Sequence, residues 1–349
     1  MTGAPLLRLG VLGCGRVFEK FHLPAIDRVP TVALVAAHDP DPSRMAWLAG
    51  RCPHLRLLPS TAALVGSADL DALLILTPPV HHAGAALQGI EAGLHVLIEK
   101  PMALEPHEAL GMLQAAHAAQ RKLHVGFSRR FREPYRRLRE ILAGLAAAEI
   151  RSASFRLSFP AGAWKSKSDF LGTEALGGGA FHDVLSHQVD LVCWFLGRPE
   201  AVRASSRDSD GGGVRAELRF NGATVSCEAA HGPYAEHLEL ELSNQMVLEA
   251  SGSRVRRAGR HFRSWRLQRA RLLDRLALVA DRLRRRPSMS LVSFERQLRD
   301  FEGSVRGGRA QGASGEDGLL AVEIVHACRL SARDGGRWRA VTAKAGSVG

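Results

Sequence analysis

Residues 10–26, GVLGCGRVFEKFHLPAI, decide how this chain begins. Apolar residues run from Leu6 to Leu12, and Gly10, Gly13 and Gly15 then fall where a strand-like run becomes a helical one. Glycines at such a turn let the backbone pass close to a pyrophosphate, while the helix N-terminus supplies amide donors and a favourable dipole. Read as G-x-G-x-x-G, the window is Gly13, Gly15 and then Phe18, so a bulky residue stands where the fingerprint has its third glycine. Asp39 comes 24 residues after Gly15, at the end of a second strand, TVALVAAHD. A carboxylate there binds the ribose hydroxyls of NAD; because Asp-Pro also initiates turns, Asp39 before Pro40 has a structural reading too. The same carboxylate would repel a 2′-phosphate, which favours NAD over NADP, with Arg44 placed to soften that preference.

Outward from this turn the pattern repeats. DALLIL, LHVLIE and KLHVGF read as further strands, and residues 42–50, 61–67, 80–92 and 105–119 carry apolar residues at helical spacing. Strands alternating with helices predict a doubly wound parallel α/β sheet, a Rossmann-type dinucleotide-binding domain over residues 1–127. After Phe127 the pattern changes to one amphipathic helix, EPYRRLREILAGL, and strands around 149–158, 200–207, 213–220, 223–230, 236–242 and 245–250. Short turns such as FNGA and SNQ join several of these, so residues 128–349 read as an α+β domain with a predominantly antiparallel open sheet. A closing helix follows the cap signal Ser-Gly-Glu-Asp and stops at Gly335.

A chain of 349 residues exceeds what one core usually serves, in keeping with two domains. No apolar run approaches the roughly 20 residues a bilayer span requires, and the first residues lack a signal-peptide core, so a cytoplasmic location is expected. The five cysteines are scattered and show no CxxC pairing, which argues against a disulfide framework or a metal site. The net charge is +12, and nearly all of the excess lies between Arg254 and Arg286, where 13 arginines face only Asp274 and Asp281. Apolar residues interleave with them, so a basic helical segment is expected at about 254–290. A solvated helix or a dimer contact is one reading of it; an acidic ligand or a membrane surface is the other. No motif for sequence-specific nucleic-acid binding accompanies it.

Two further stretches complete a set: LTPPVHHAGAALQGIEAGLHVLIEKP at 76–101 and GGGAFHDVLSHQVDL at 177–191. With VGFSRRF and SGEDGLLAVEIVHACRLSARDG, they occur in an order that resembles the Gfo/Idh/MocA family, the relatives of glucose-fructose oxidoreductase and inositol dehydrogenase. The resemblance covers nearly the whole chain. It implies an NAD(P)-dependent oxidoreductase acting on a hydroxyl-bearing carbon of a sugar, cyclitol or nucleotide-sugar, working as a homo-oligomer through the C-terminal sheet. An NAD-assisted glycoside hydrolase and a non-catalytic binding protein that kept the fold are the alternatives.

Oxidising a secondary alcohol requires a proton and a hydride to leave together, so a base must reach the hydroxyl. The resemblance places Lys100 and His187 beside the substrate. His187, with an ordinary pKa near 6.5, is the expected acid/base, and Lys100 is expected to orient and polarise the oxygen. On a helix Asp183 lies one turn before His187, on the same face, where it can bind substrate or hold the imidazole. The expected cofactor contacts are Gly10, Gly13, Cys14, Gly15, Arg16, Val17, Asp39, Arg44, Thr77, Pro78, Pro79, His82, Glu99, Lys100 and Pro101. Arg130 and Trp164 are candidates for the substrate mouth, with a surface arginine and a packing tryptophan as equal alternatives. His182 stands where an apolar residue is usual in the family, and His22 reads as helix packing.

Overall fold

The computed structural model describes residues 5–144, 150–159, 179–206, 213–251, 254–259 and 289–341. Leu7–Leu12 form β1, whose Leu9 and Val11 are fully buried, the mark of a strand covered on both faces. It pairs in parallel with β2 (Val32–His38) and with β4 (Ala72–Ile75). With β3 (Arg56–Leu57), β5 (His95–Ile98), β6 (Leu123–Val125) and an antiparallel edge, β14 (Ala313–Ser314), they make a seven-stranded sheet. Its order is β14-β6-β5-β4-β1-β2-β3, the doubly wound sheet expected from the strand and helix alternation. Helices α1 (Leu23–Ile26), α2 (Pro42–Arg51), α3 (Thr61–Val65), α4 (His82–Glu91) and α5 (Pro106–Ala118) connect the strands. Their starts follow local chemistry: the Asp41 side chain accepts from Ser43 N ahead of α2, and Glu105 and Glu108 form a reciprocal capping box at α5.

Two features depart from the simple pattern. Phe18, in place of the third glycine, is fully buried in the core with Leu9, Val11 and Leu74, and residues Phe18–His22 form a π-helical turn. The bulky residue is thus taken into the core rather than excluded. The chain also returns to this unit late: α8 (Met289–Val305) puts Leu298 and Phe301 into the same core. One compact unit therefore comprises the described residues up to 132 and within 287–322, and the other those within 133–163, 179–286 and 323–349. A single boundary at 127/128 does not describe this return, because the burial of two apolar side chains on α8 outweighs sequence order.

The second unit holds α6 (Glu133–Ala143) and an eight-stranded sheet, order β13-β12-β11-β7-β10-β9-β8-β15. Its central strands are β7 (Ile150–Phe159) and β10 (Ala223–His231), which pair in parallel; every other neighbouring pair is antiparallel. The others are β8 (Ala201–Ser206), β9 (Gly213–Phe220), β11 (Ala235–Leu242), β12 (Met246–Ser251), β13 (Arg254–Gly259) and β15 (Arg339–Ala340). Strand β13 corrects the expected start of the basic helical segment. Residues 254–259 extend the sheet instead, with Arg256 paired opposite Glu249, a favourable cross-strand charge pair. The rest of that segment, 260–288, lies outside the described residues.

Helix α7 (Ser186–Leu196) is continuous with a π-helical turn at Ala180–Leu185. Helix α9 (Gly315–Arg333) starts as its cap signal predicts: Ser314 N donates to Asp317 Oδ2 at 2.9 Å and Asp317 N donates to Ser314 Oγ at 3.3 Å. All five cysteines are free thiols, and burial pushes Cys14 and Cys328 up to about 12. No helix among the described residues is long and apolar enough to cross a membrane.

Candidate active site

In the first unit the site is built on the glycine turn. Gly13 has φ +92°, and a Cβ there would lie 2.8–2.9 Å from the backbone of Leu76 and Thr77, so this position excludes every side chain. Its N–H donates to His38 O at 2.9 Å. Cys14 N donates to Asp39 Oδ2 at 2.6 Å, and Asp41 N donates to Asp39 Oδ1 at 2.8 Å. Asp39 therefore fastens the turn to the end of β2, and its two readings are compatible. A carboxylate has about four acceptor positions, of which these bonds occupy two. Arg44 is also engaged: Nε and Nη2 donate to Cys14 O at 2.8 and 2.5 Å, and Nη2 lies 3.1 Å from Glu19 Oε2. Cys14 is fully buried, so its only contribution toward a ligand is main-chain. Gly10 is explained by packing, since a Cβ would come within 2.8 Å of Leu70 Cδ1. At Gly15, by contrast, a Cβ would meet no atom of the described residues within 4 Å. Arg16 and Val17, half-buried, lead from there into the π-helical turn.

The loop after β4 and the turn after β5 are joined by one side chain. His82 is fully buried, with Nε2 2.8 Å from Thr77 O and Nδ1 2.8 Å from Pro101 O. Burial holds its pKa below the usual histidine range. Pro78 and Pro79 lead from Thr77 into a short 3₁₀ turn at Pro79–His81. Glu99 Oε2 accepts from Lys100 N at 3.1 Å, and Glu99 Oε1 lies 3.0 Å from His22 Nε2. Lys100 is half-buried and its bond to Pro101 is cis. Arg130, a candidate for the substrate mouth, is buried and paired with Asp317, its Nη1 3.1 Å from Oδ2. It anchors the first turn of α9.

These residues fit a dinucleotide. Among the described residues, Gly15 leaves open space beside the helix start and the buried Thr77 hydroxyl has no partner, and Asp39 keeps acceptor capacity.

In the second unit Gly179, at φ +79°, turns the chain into the Ala180–Leu185 turn and α7. Gln188 Nε2 ties the helix to the sheet by donating to Phe155 O at 2.6 Å and Glu228 O at 3.2 Å. His182, Asp183, His187 and Asp190 are all buried. Asp183 Oδ2 lies 3.2 Å from Nε2 of His231, the last residue of β10. Phe159 neighbours both imidazoles, its ring centroid 6.5 Å from that of His187 and 6.1 Å from that of His231. Sequence reasoning missed His231, because a histidine at a strand end carries no motif; register beside Phe159 and the reach to Asp183 are tertiary facts. Trp164, Gly177 and Gly178 lie outside the described residues.

The two units thus hold a doubly wound parallel sheet and an open, mostly antiparallel one. Residues 7–127 match the oxidoreductase family model with the NAD-binding Rossmann fold, and residues 135–260 match the GFO/IDH/MocA C-terminal domain, so the chain belongs to the Gfo/Idh/MocA family and its first unit is an NAD-binding domain. Inositol 2-dehydrogenase 3 of Saccharopolyspora erythraea is 39% identical over 138 residues, 39% of this chain and 40% of that protein. The rhizopine catabolism protein MocA of Rhizobium meliloti is 26% identical over 334 residues, 94% of this chain and 96% of that one. Over three curated relatives, the chain spans only 40% to 63% of their own length. The WlbA dehydrogenase of Bordetella pertussis, solved with NADH and UDP-GlcNAcA, shares the fold with a TM-score of 0.81 and 22% identity, covering 97% of this chain and 99% of that one.

Proposed function

We propose that the protein is an NAD-dependent oxidoreductase that converts a CH–OH group of a polyol, whether sugar, cyclitol or nucleotide-sugar, to the carbonyl and back. The observation that carries this reading is the group formed by the buried Asp183 and His187 and the half-buried His231, on and beside α7, in a chain whose other unit binds NAD. NAD, when bound, accepts the hydride. His187 takes the hydroxyl proton as the C–O bond becomes C=O, and Lys100 holds and polarises that oxygen. Asp183 accepts from a neighbouring hydroxyl of the substrate, and its carboxylate is kept in place by His231. Gly13, Gly15 and the main chain at Cys14 receive the dinucleotide, Asp39 its ribose, and Thr77 with Pro78 and Pro79 the nicotinamide side. A panel of inositols, hexoses and nucleotide-sugars, read by NADH formation, tests the activity; no turnover of any CH–OH compound by a protein that binds NADH would refute it.

The assembly belongs to the same reading. The exposed Arg215 and Arg219 of β9 lie toward one edge of the second sheet, and Glu239 and Glu241 of β11 toward the other. A face-to-face two-fold pairing of this sheet with that of a second copy, about an axis along its strands, would set these unlike charges opposite one another, which supports a homo-oligomer. Light scattering should give a mass above that of one chain, and Arg215→Glu with Arg219→Glu should lower it.

A further inference from the structure

The imidazole of His22 lies 77 positions before Glu99 in the chain and closes on it in space. His22 ends the π-helical turn that buries both Phe18 and His22, the kind of widened turn that recurs at functional positions. Its side chain is 5% exposed, its ring meets Phe294 edge-on at 4.8 Å, and Phe294 stacks on Phe21 at 4.9 Å. A carboxylate only accepts, so His22 Nε2 carries the hydrogen donated to Glu99 Oε1. The other oxygen, Oε2, receives the main-chain N–H of Lys100 at 3.1 Å. On the remaining side Gly126 presses close: a Cβ there would stand 2.9–3.0 Å from Glu99 Cδ, Cα and Oε2.

We infer that His22 is a positioning residue for Lys100, acting through the Glu99 carboxylate. This rests on the role given to Lys100 above. A carboxylate in such a setting stays put only while its hydrogen bonds compensate for lost water. With the His22 donor removed, Glu99 turns toward solvent and releases the Lys100 amide, and the backbone that aims the lysine side chain loses its brace. Gly126 and His22 thus do complementary work: one leaves room for the carboxylate, the other holds it there.

His22→Phe keeps the aromatic contact with Phe294 and removes only the donor, whereas His22→Gln restores a donor. In the full-length protein, hydrogen exchange read by mass spectrometry should show the Lys100 amide opening about tenfold faster or more in His22→Phe, with His22→Gln close to wild type. On whichever polyol the panel identifies, His22→Phe should lower kcat on the order of 10² while NADH affinity and Tm hold. Glu99→Ala should repeat both effects. Unchanged exchange at Lys100 in His22→Phe overturns the inference even if no substrate is known, and so does faster exchange with unchanged kcat. If exchange responds as described and the wild type oxidises no polyol, the link from His22 to Lys100 stands and the oxidoreductase reading falls instead.

Discussion

The glycine turn of the first unit and the Asp183–His187 helix of the second solve different problems. The turn is made of backbone: Gly13 at φ +92°, a main-chain bond to His38, and a carboxylate that holds Cys14 N and Asp41 N. Its specificity is steric, so the residue type alone announces it. The helix is made of side chains whose chemistry depends on what else comes near, and Asp183 meets His231 from 48 positions away. A backbone device can be read from a motif, whereas a side-chain device needs the fold.

The largest expected effect separates chemistry from binding. His187→Ala should lower kcat by roughly 10² to 10⁴, the usual worth of a general base, while NADH affinity persists. Lys100→Ala should do similar harm, and if the proposed mechanism holds and both serve one transition state, the double variant should lose far less than the product of the two. Multiplicative losses in steady-state kinetics would show that the two residues work in separate steps.

The turn can be broken in two distinguishable ways. Gly13→Ala meets backbone at 2.8 Å in a left-handed conformation, so it should cost roughly 1–3 kcal/mol or more of stability and lower Tm. Gly15→Trp projects into open space, so it should keep Tm and abolish NADH binding by fluorescence titration. If Gly15→Trp binds NADH normally, the dinucleotide does not cross this turn. Asp39→Ala should act on both counts, loosening the turn and narrowing the preference for NAD over NADP.

The extent of what sequence revealed follows the same division. Strands β1, β2 and β4 and the helices between them declare themselves by apolar runs and helical spacing, and Gly13 and Asp39 by position. The return of α8 was hidden because the apolar stripe containing Leu298 and Phe301 says only that a face is buried, not against which sheet. The partner of Arg130 was hidden for a related reason, since Asp317 comes 187 positions later in the chain. The π-helical turns at 18–22 and 180–185 were invisible because π and α periodicities differ by less than one residue per turn and cannot be told apart over a single turn.

A smaller effect tests the side-chain device itself. His231→Phe retains the ring beside Phe159 and removes the donor to Asp183, so kcat/KM should fall roughly tenfold, about 1.4 kcal/mol, with Tm little changed. His231→Gln should recover part of the loss. Wild-type kinetics in His231→Phe would leave Asp183 to be held by other groups.

The smallest effect concerns the ion pair of Arg130 with Asp317. Burial works against ionisation of Asp317, yet the charge and hydrogen bond of Arg130 and the bonds from Ser314 hold its carboxyl below the usual range. A carboxyl whose pKa is depressed on folding contributes stability that is fully present above its unfolded pKa of about 3.9 and is lost as pH falls through the folded value. Arg130→Met removes the strongest cause of the depression while preserving bulk. Since the Asp317 side chain is 36% exposed, water screens much of the interaction and the gain should be modest. The Tm difference between wild type and Arg130→Met should therefore be small but positive at pH 7 and shrink steadily below about pH 4, as Asp317 takes up its proton. Asp317→Asn should show the complementary behaviour, with a deficit at pH 7 that disappears in acid. A difference independent of pH would mean that Arg130 acts through packing alone, and that the ion pair at the start of α9 contributes nothing to the fold.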